Sequence, residues 1–172
     1  MIIKIASWFA LTGTLYFLAD AKGGNKLAGV IILSIVMIHS FLIIQEHEFS
    51  EITISFSRNL PYTRFNIFLN SIKLYIIFLI PETIALLFKF PFYTAIQVWV
   101  LAISLILLFR GLLYYANQDM NAYLKWIFTV FVASFLFIMF NMMWALIALT
   151  LIGSLRIFYN QYYHYERNIN PS

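Results

Sequence analysis

Long apolar runs separated by short polar breaks dominate this sequence. A helix needs about 20 mainly apolar residues to cross the hydrocarbon core of a bilayer, and six runs meet or approach that length. They cover residues 3–19, 27–45, 68–88, 93–110, 122–139 and 142–159. The pattern therefore predicts an all-α polytopic integral membrane protein, with six transmembrane helices in a single domain over residues 1–172.

The polar breaks between the runs differ in strength. Residues 20–26 read as a glycine-rich loop, Phe90-Pro91-Phe92 separates the third run from the fourth, and residues 110–121 separate the fourth from the fifth. The last boundary has the weakest signal, because only scattered Thr, Ser and Asn interrupt the final apolar stretch. We place a hairpin near Asn141, since a single helix of about 30 residues would extend about 45 Å, well beyond a bilayer core. A five-span chain is the alternative.

The distribution of basic residues predicts the orientation. Lys4, an apolar run and Ala19-Asp20-Ala21 resemble a signal peptide, but we interpret this segment as the first span. With the N-terminus inside, the Lys and Arg residues on the cytoplasmic side outnumber those outside. The inner set is Lys4, Arg58, Arg64, Lys73, Arg110, Lys125, Arg156 and Arg167, and the outer set is Lys22, Lys26 and Lys89. Both termini and residues 46–64 are therefore predicted to be cytoplasmic.

Composition supports the membrane class and excludes several kinds of site. The chain is 63% hydrophobic and only 10% charged, with a mean hydropathy of +0.86, whereas soluble domains are about 25% charged. It has no cysteine, which excludes disulfides, thiolate metal sites and thiol nucleophiles. The net charge of +4 comes from single basic residues at the ends of apolar runs, so no nucleic-acid partner is expected.

Residues 46–64 form an unusually polar connection between the second and third runs. They hold five of the eighteen Lys, Arg, Asp and Glu residues of the chain. As a helix, started by Ser50 and ended by Pro61, the segment would be amphipathic. One side would carry Phe49, Ile52, Phe56 and Leu60, and the other Glu48, Glu51, Ser55 and Arg58. A strand over residues 52–57, or an amphipathic loop resting on lipid headgroups, is the alternative.

The end of this segment resembles the type-2 ABC exporter permeases. Members of that family carry a Leu-Pro-x-Ser/Thr-Arg signature between the second and third of six spans, and Leu60, Pro61, Thr63 and Arg64 match it. Residue-level similarity is confined to about 46–73, ending near Lys73 at the start of the next span. The loop between the fifth and sixth spans, which often holds re-entrant helices in the family, is nearly absent here.

The resemblance implies an ATP-driven exporter in which residues 48–59 form a coupling helix that docks on a separate cytoplasmic ATPase. The implied coupling positions are Glu48, Phe49, Glu51, Ile52, Phe56, Arg58, Leu60, Pro61, Thr63 and Arg64. This chain has no phosphate-binding Gly-x-x-x-x-Gly-Lys-Ser/Thr loop, so ATP and Mg²⁺ would be bound by the partner. A second permease protomer, identical or related, is also implied, in a bacterial cytoplasmic (inner) membrane. The resemblance does not determine whether the second protomer is identical or related, nor which substrate is exported.

Two ionisable residues lie within the predicted spans. Glu82 is a candidate proton or substrate site because charged groups in membranes are costly, but Pro81-Glu82 also fits a helix start, the interpretation we favour. His39 fits a structural histidine that packs between helices. We find no protease motif and no metal-binding motif, so we expect no catalysis and no metal site. The alternatives to an exporter are a proton-coupled transporter using Glu82 and a non-transporting scaffold subunit.

Overall fold

The computed structural model describes residues 24–53, 64–116 and 119–169, and all of its regular structure is helical. Side chains at 47–53, 64, 65, 67 and 161–169 are outside the description. The first predicted run, residues 3–19, also lies outside the described residues. The helices are α1 (Gly24–Thr53), α2 (Arg64–Lys89), α3 (Phe92–Tyr115), α4 (Met120–Met139) and α5 (Met143–Ile169).

Each of the five helices contains a stretch long and apolar enough to cross a membrane. The stretches are Gly24–Glu46, Phe68–Lys89, Phe92–Tyr115, Met120–Met139 and Met143–Asn160. They coincide with the second to sixth predicted runs to within a few residues. The chain therefore has the architecture of a multi-pass α-helical membrane protein.

Helix α3 lies at the centre of the bundle. It packs most extensively against α5 and next against α1, and it also contacts α2 and α4. Most of its residues are buried, whereas α2, α4 and α5 expose many large apolar side chains. Small residues permit the close approach of α3 and α5: a methyl group added at Gly111 would stand 3.3 Å from Ile157. The Thr150 hydroxyl also donates to Ser104 Oγ at 2.9 Å.

Several predicted boundaries are corrected by the helices. Helix α1 begins at Gly24, so the predicted loop at 20–26 extends too far, and α3 continues five residues beyond Arg110, which lies inside it. Ser50 lies within α1 and does not start a separate helix. Pro81 is likewise inside α2. A helix break at that depth would leave backbone groups without water or internal partners, which explains why α2 continues through the proline.

The weakest predicted boundary is confirmed as a hairpin between α4 and α5. Asn141 has a φ of 60°, in the left-handed region. Its N–H donates to the Ile138 carbonyl at 3.0 Å, and the Met142 N–H donates to the Phe137 carbonyl at 2.9 Å. These two bonds form a Schellman motif, with asparagine at the position that glycine usually occupies. The alternative with one long final helix is excluded.

Replacing Asn141 tests this turn. Asn141→Gly should raise the free energy of unfolding by about 0.5 kcal/mol, and Asn141→Val should lower it by about 1 kcal/mol, because a Cβ is disfavoured at positive φ. Thermal unfolding of the detergent-solubilised protein measures both changes. The matched control is Asn121, an exposed residue in the first turn of α4, where glycine should not stabilise. Stabilisation by glycine at Asn121 but not at Asn141 would contradict this account.

Candidate functional site

Most residues of the predicted coupling segment lie either at the end of α1 or outside the described residues. Glu48, Phe49, Glu51 and Ile52 belong to the end of α1, where only the backbone is described, and Arg64 begins α2. The remaining predicted positions lie outside the described residues: Phe56, Arg58, Leu60, Pro61 and Thr63. Their role therefore stays a prediction. The structure does define the contacts of Glu46, the first residue of this segment.

Glu46 belongs to a cluster of three polar side chains from three helices. Its Oε2 lies 3.1 Å from Nη1 of Arg110 on α3, and it accepts a hydrogen bond of 3.1 Å from the Tyr75 hydroxyl on α2. Arg110 Nη1 also donates to the Tyr75 hydroxyl oxygen at 3.4 Å. The guanidinium stands 5.9 Å from the centre of the Tyr75 ring, within range of a cation–π contact. We call Glu46, Tyr75 and Arg110 the charged clasp.

Burial explains why these groups combine. The Arg110 side chain is only 11% exposed and the Glu46 side chain 22% exposed. An isolated charge at this depth would be strongly unfavourable, whereas a paired one that also makes hydrogen bonds is tolerated. The clasp therefore joins α1 and α2 to the central helix at the end of the bundle that the basic residues predict to be cytoplasmic.

The clasp corrects two sequence-based interpretations. Glu46 was assigned to a water-facing segment and Arg110 to the anchors at the ends of spans, but both are largely withdrawn from solvent. Tyr75 was not singled out. The sequence does contain a signal that Arg110 is inside a helix and not at its end. Arg110 is followed by Gly-Leu-Leu-Tyr-Tyr, so the apolar stretch continues past it.

A second polar contact joins α1 and α2 about two helical turns from the clasp. His39 Nε2 lies 3.5 Å from Glu82 Oε1, and the two residues are 3% and 1% exposed. His39 Nδ1 lies 2.8 Å from the Ile35 carbonyl oxygen. A carbonyl can only accept, so Nδ1 must carry a hydrogen. Nε2 is then the atom that faces the carboxyl group.

This geometry changes the assessment of both residues. Glu82 lies in the interior of α2, so its interpretation as part of a helix start is wrong. His39 does make the structural bond expected of a packing histidine, but the contact with Glu82 was not foreseen. If Nε2 and the carboxylate were both unprotonated, their lone pairs would repel each other; one shared proton makes the contact favourable. Within the described part of the chain, no three His, Asp or Glu side chains are grouped to hold a metal ion.

The clasp can be tested through protein stability. Arg110→Met should lower the free energy of unfolding by about 3 kcal/mol, because Glu46 then keeps a largely buried charge without a cation. Adding Glu46→Gln should recover most of that loss, since it removes the charge that was left unpaired. Thermal and denaturant unfolding in detergent measure the double-mutant cycle.

Arg156 provides the matched control for Arg110→Met. It is an exposed arginine on α5, so Arg156→Met should change stability by less than about 0.5 kcal/mol. Equal destabilisation by the two arginine substitutions, or additive effects of Arg110→Met and Glu46→Gln, would argue against the clasp.

Comparisons with protein-family models, with curated proteins and with solved structures find no match.

Proposed function

We propose that this chain is the membrane-spanning permease subunit of an ATP-driven exporter of the type-2 ABC class. The proposal starts from the Leu60-Pro61-Tyr62-Thr63-Arg64 pattern between the second and third apolar runs. The observation that carries it furthest is the clasp, because it fastens the root of that connection to the central helix. A segment that receives force from an ATPase needs such an attachment.

The shape of α1 fits a mechanical role. The helix continues from Glu46 to Thr53, so it extends roughly 10 Å beyond the apolar stretch as one helix. A displacement of this extension would act on Glu46 and, through Arg110, on α3. Since α3 contacts the other four described helices, its movement would change the packing of the bundle. Rigid helices that shift against one another are a common means of switching between two arrangements.

The proposal also specifies partners. Nucleotide and Mg²⁺ would be bound by a separate cytoplasmic ATPase subunit, because the phosphate-binding loop is missing from this sequence. A second permease protomer would complete the transporter, with the 46–64 segments of both protomers in contact with ATPases. Membrane lipids would surround the exposed apolar faces of α2, α4 and α5.

Charge reversal at Glu51 tests the ATPase contact. Glu51→Lys should weaken association of the ATPase by about tenfold without unfolding the helices, because a complementary charge across the interface becomes repulsive. The measurement is co-purification of the tagged full-length chain from native membranes, with the partner identified by its phosphate-binding loop and by ATP hydrolysis.

Glu166→Lys is the matched control, since it makes the same charge change near the C-terminal end of α5 and should leave co-purification unchanged. Two results would refute the exporter proposal: recovery of no ATPase with the unmodified chain, or recovery of equal amounts with Glu51→Lys.

The His39–Glu82 contact favours a second candidate, a proton-coupled secondary transporter. A histidine and a carboxyl group that share a proton at membrane depth are the components of a proton relay. Other described ionisable groups about two helical turns from the pair are Glu46 on α1 and Tyr75 and Lys89 on α2, roughly 10 Å away along the helices.

Infrared difference spectroscopy can detect this proton. Transfer of the solubilised protein from H2O to D2O should produce a reversible change in the position of the Glu82 carboxyl band, because a hydrogen shared with His39 is exchangeable. Glu82→Gln should abolish that change, and His39→Gln should alter it. Glu46→Gln, which removes the nearest other described carboxylate, serves as the control and should preserve it. Persistence of the change in Glu82→Gln would exclude the pair as its source.

A further inference from the structure

A cavity of about 260 Å³ lies between α1 and α2. Its walls are apolar, and the side chains that form them are Leu42, Ile43, Leu74, Phe78 and Ile106. Polar residues occur only towards its two ends, with His39 at one end and Glu46 and Tyr75 at the other. The cavity therefore extends between the two polar contacts that join α1 and α2.

The position of these polar contacts explains why space remains between the helices. Helix α1 packs closely against α3 and α4, and α2 packs closely against α3. Long side chains, Glu46 with Tyr75 and His39 with Glu82, bridge α1 to α2. Helices held apart by long side chains at two levels leave a gap at the level between them. Because both levels are fixed by pairing of buried polar groups, the gap does not close by simple collapse.

The outer side of the cavity faces the hydrocarbon region. Phe78 is 36% exposed, and Leu42 and Leu74 are half-buried, whereas Ile43 and Ile106 close the inner side. His39 and Glu46 are seven residues apart, which sets the extent of the cavity along α1 at roughly 10 Å. This range lies inside the apolar stretch Gly24–Glu46. At this depth the medium that surrounds the bundle is lipid tails.

We propose that this cavity binds an acyl chain of a bilayer phospholipid. An apolar void stays dry, and its lining lacks attractive contacts until an apolar group fills it. A void of about 150 Å³ is already large enough to hold a benzene molecule, so the volume here accommodates a longer alkyl segment. Lipid tails are the apolar groups present at the opening at the highest concentration.

The polar end of the cavity fits the other part of such a ligand. Gln45 is exposed and lines the cavity beside Glu46, at the end of the apolar stretch where lipid headgroups begin. Apolar walls at depth and polar groups at the boundary match an amphipathic molecule in its membrane orientation. This site goes beyond the proposed exporter function, because it requires neither an ATPase nor transport.

A photoreactive phospholipid with a diazirine on its acyl chain tests the site. The full-length protein is reconstituted in nanodiscs that contain this lipid, irradiated, and mapped by peptide mass spectrometry. Residues 42–43 and 74–78 should be labelled saturably and more strongly than Ile152, an exposed apolar residue of α5. Leu42→Trp should reduce labelling of the cavity by about fivefold, because the indole occupies the space of the chain.

The matched control is Leu149→Trp, the same substitution at a residue that is 57% exposed on α5, which should leave cavity labelling unchanged. Leu74→Trp fills the cavity from the opposite wall and replaces Leu42→Trp if that variant does not fold. The proposal would be overturned if the cavity residues were labelled no more strongly than Ile152 and if neither Leu42→Trp nor Leu74→Trp reduced their labelling.

A competing occupant is the first apolar run of this chain. Because the chain has no cysteine, one cysteine at Leu74 and one at successive positions in 3–19 form a clean pair for disulfide mapping. Efficient cross-linking to the cavity wall would show that residues 3–19 fill the space and would overturn the lipid assignment. Its absence, together with saturable labelling, supports it.

Discussion

The structure depends on one constraint: in hydrocarbon, backbone groups and charged side chains must find their partners within the protein. Backbone groups meet it by forming helices, which is why α2 continues through Pro81 and why the turn at Asn141 binds the last carbonyls of α4. Charged side chains meet it by pairing across helices. The clasp and the His39–Glu82 contact are two such pairings among the described residues.

This constraint gives α3 and α1 different roles. Helix α3 contacts all the other described helices and contributes Arg110, Ser104 and Gly111 to the contacts that join them. Helix α1 contributes the polar partners at both levels, Glu46 and His39, and continues past its apolar stretch to Thr53. The central helix therefore organises the packing, whereas α1 takes part in both polar contacts.

The sequence predicts the helices well because hydrophobic length depends on each run alone. The hairpin at Asn141 was recoverable for the same reason, since a bilayer limits helix length. Which polar groups meet is a different question, because it depends on the order of helices around α3 and on their rotation. The favoured helix start at Pro81-Glu82 failed because that local pattern does not register the cost of breaking a helix within the hydrocarbon core.

One sequence signal does indicate the pairing. His39 and Glu46 are seven residues apart on α1, and Tyr75 and Glu82 are seven apart on α2. Seven residues are about two helical turns, so each pair lies on one face. In antiparallel neighbours, equal spacing brings 46 opposite 75 and 39 opposite 82 together, as the structure has them. The partner of Arg110 could not be predicted from this spacing, because Arg110 lies on α3, outside the pair of helices that carries it.

The equal spacing has a mechanical consequence for the cavity. Since both polar contacts join the same two helices, the gap between them is fixed by two distances, Glu46 to Tyr75 and His39 to Glu82. A displacement of α1 at Glu46 would alter the first distance, and a rearrangement of the His39–Glu82 contact would alter the second. Each would change the space available to an apolar ligand. By thermodynamic reciprocity, a ligand that fits one spacing better also favours the geometry of the two contacts that accompanies it. Occupancy of the cavity and the geometry of both polar contacts are thus physically linked through α1.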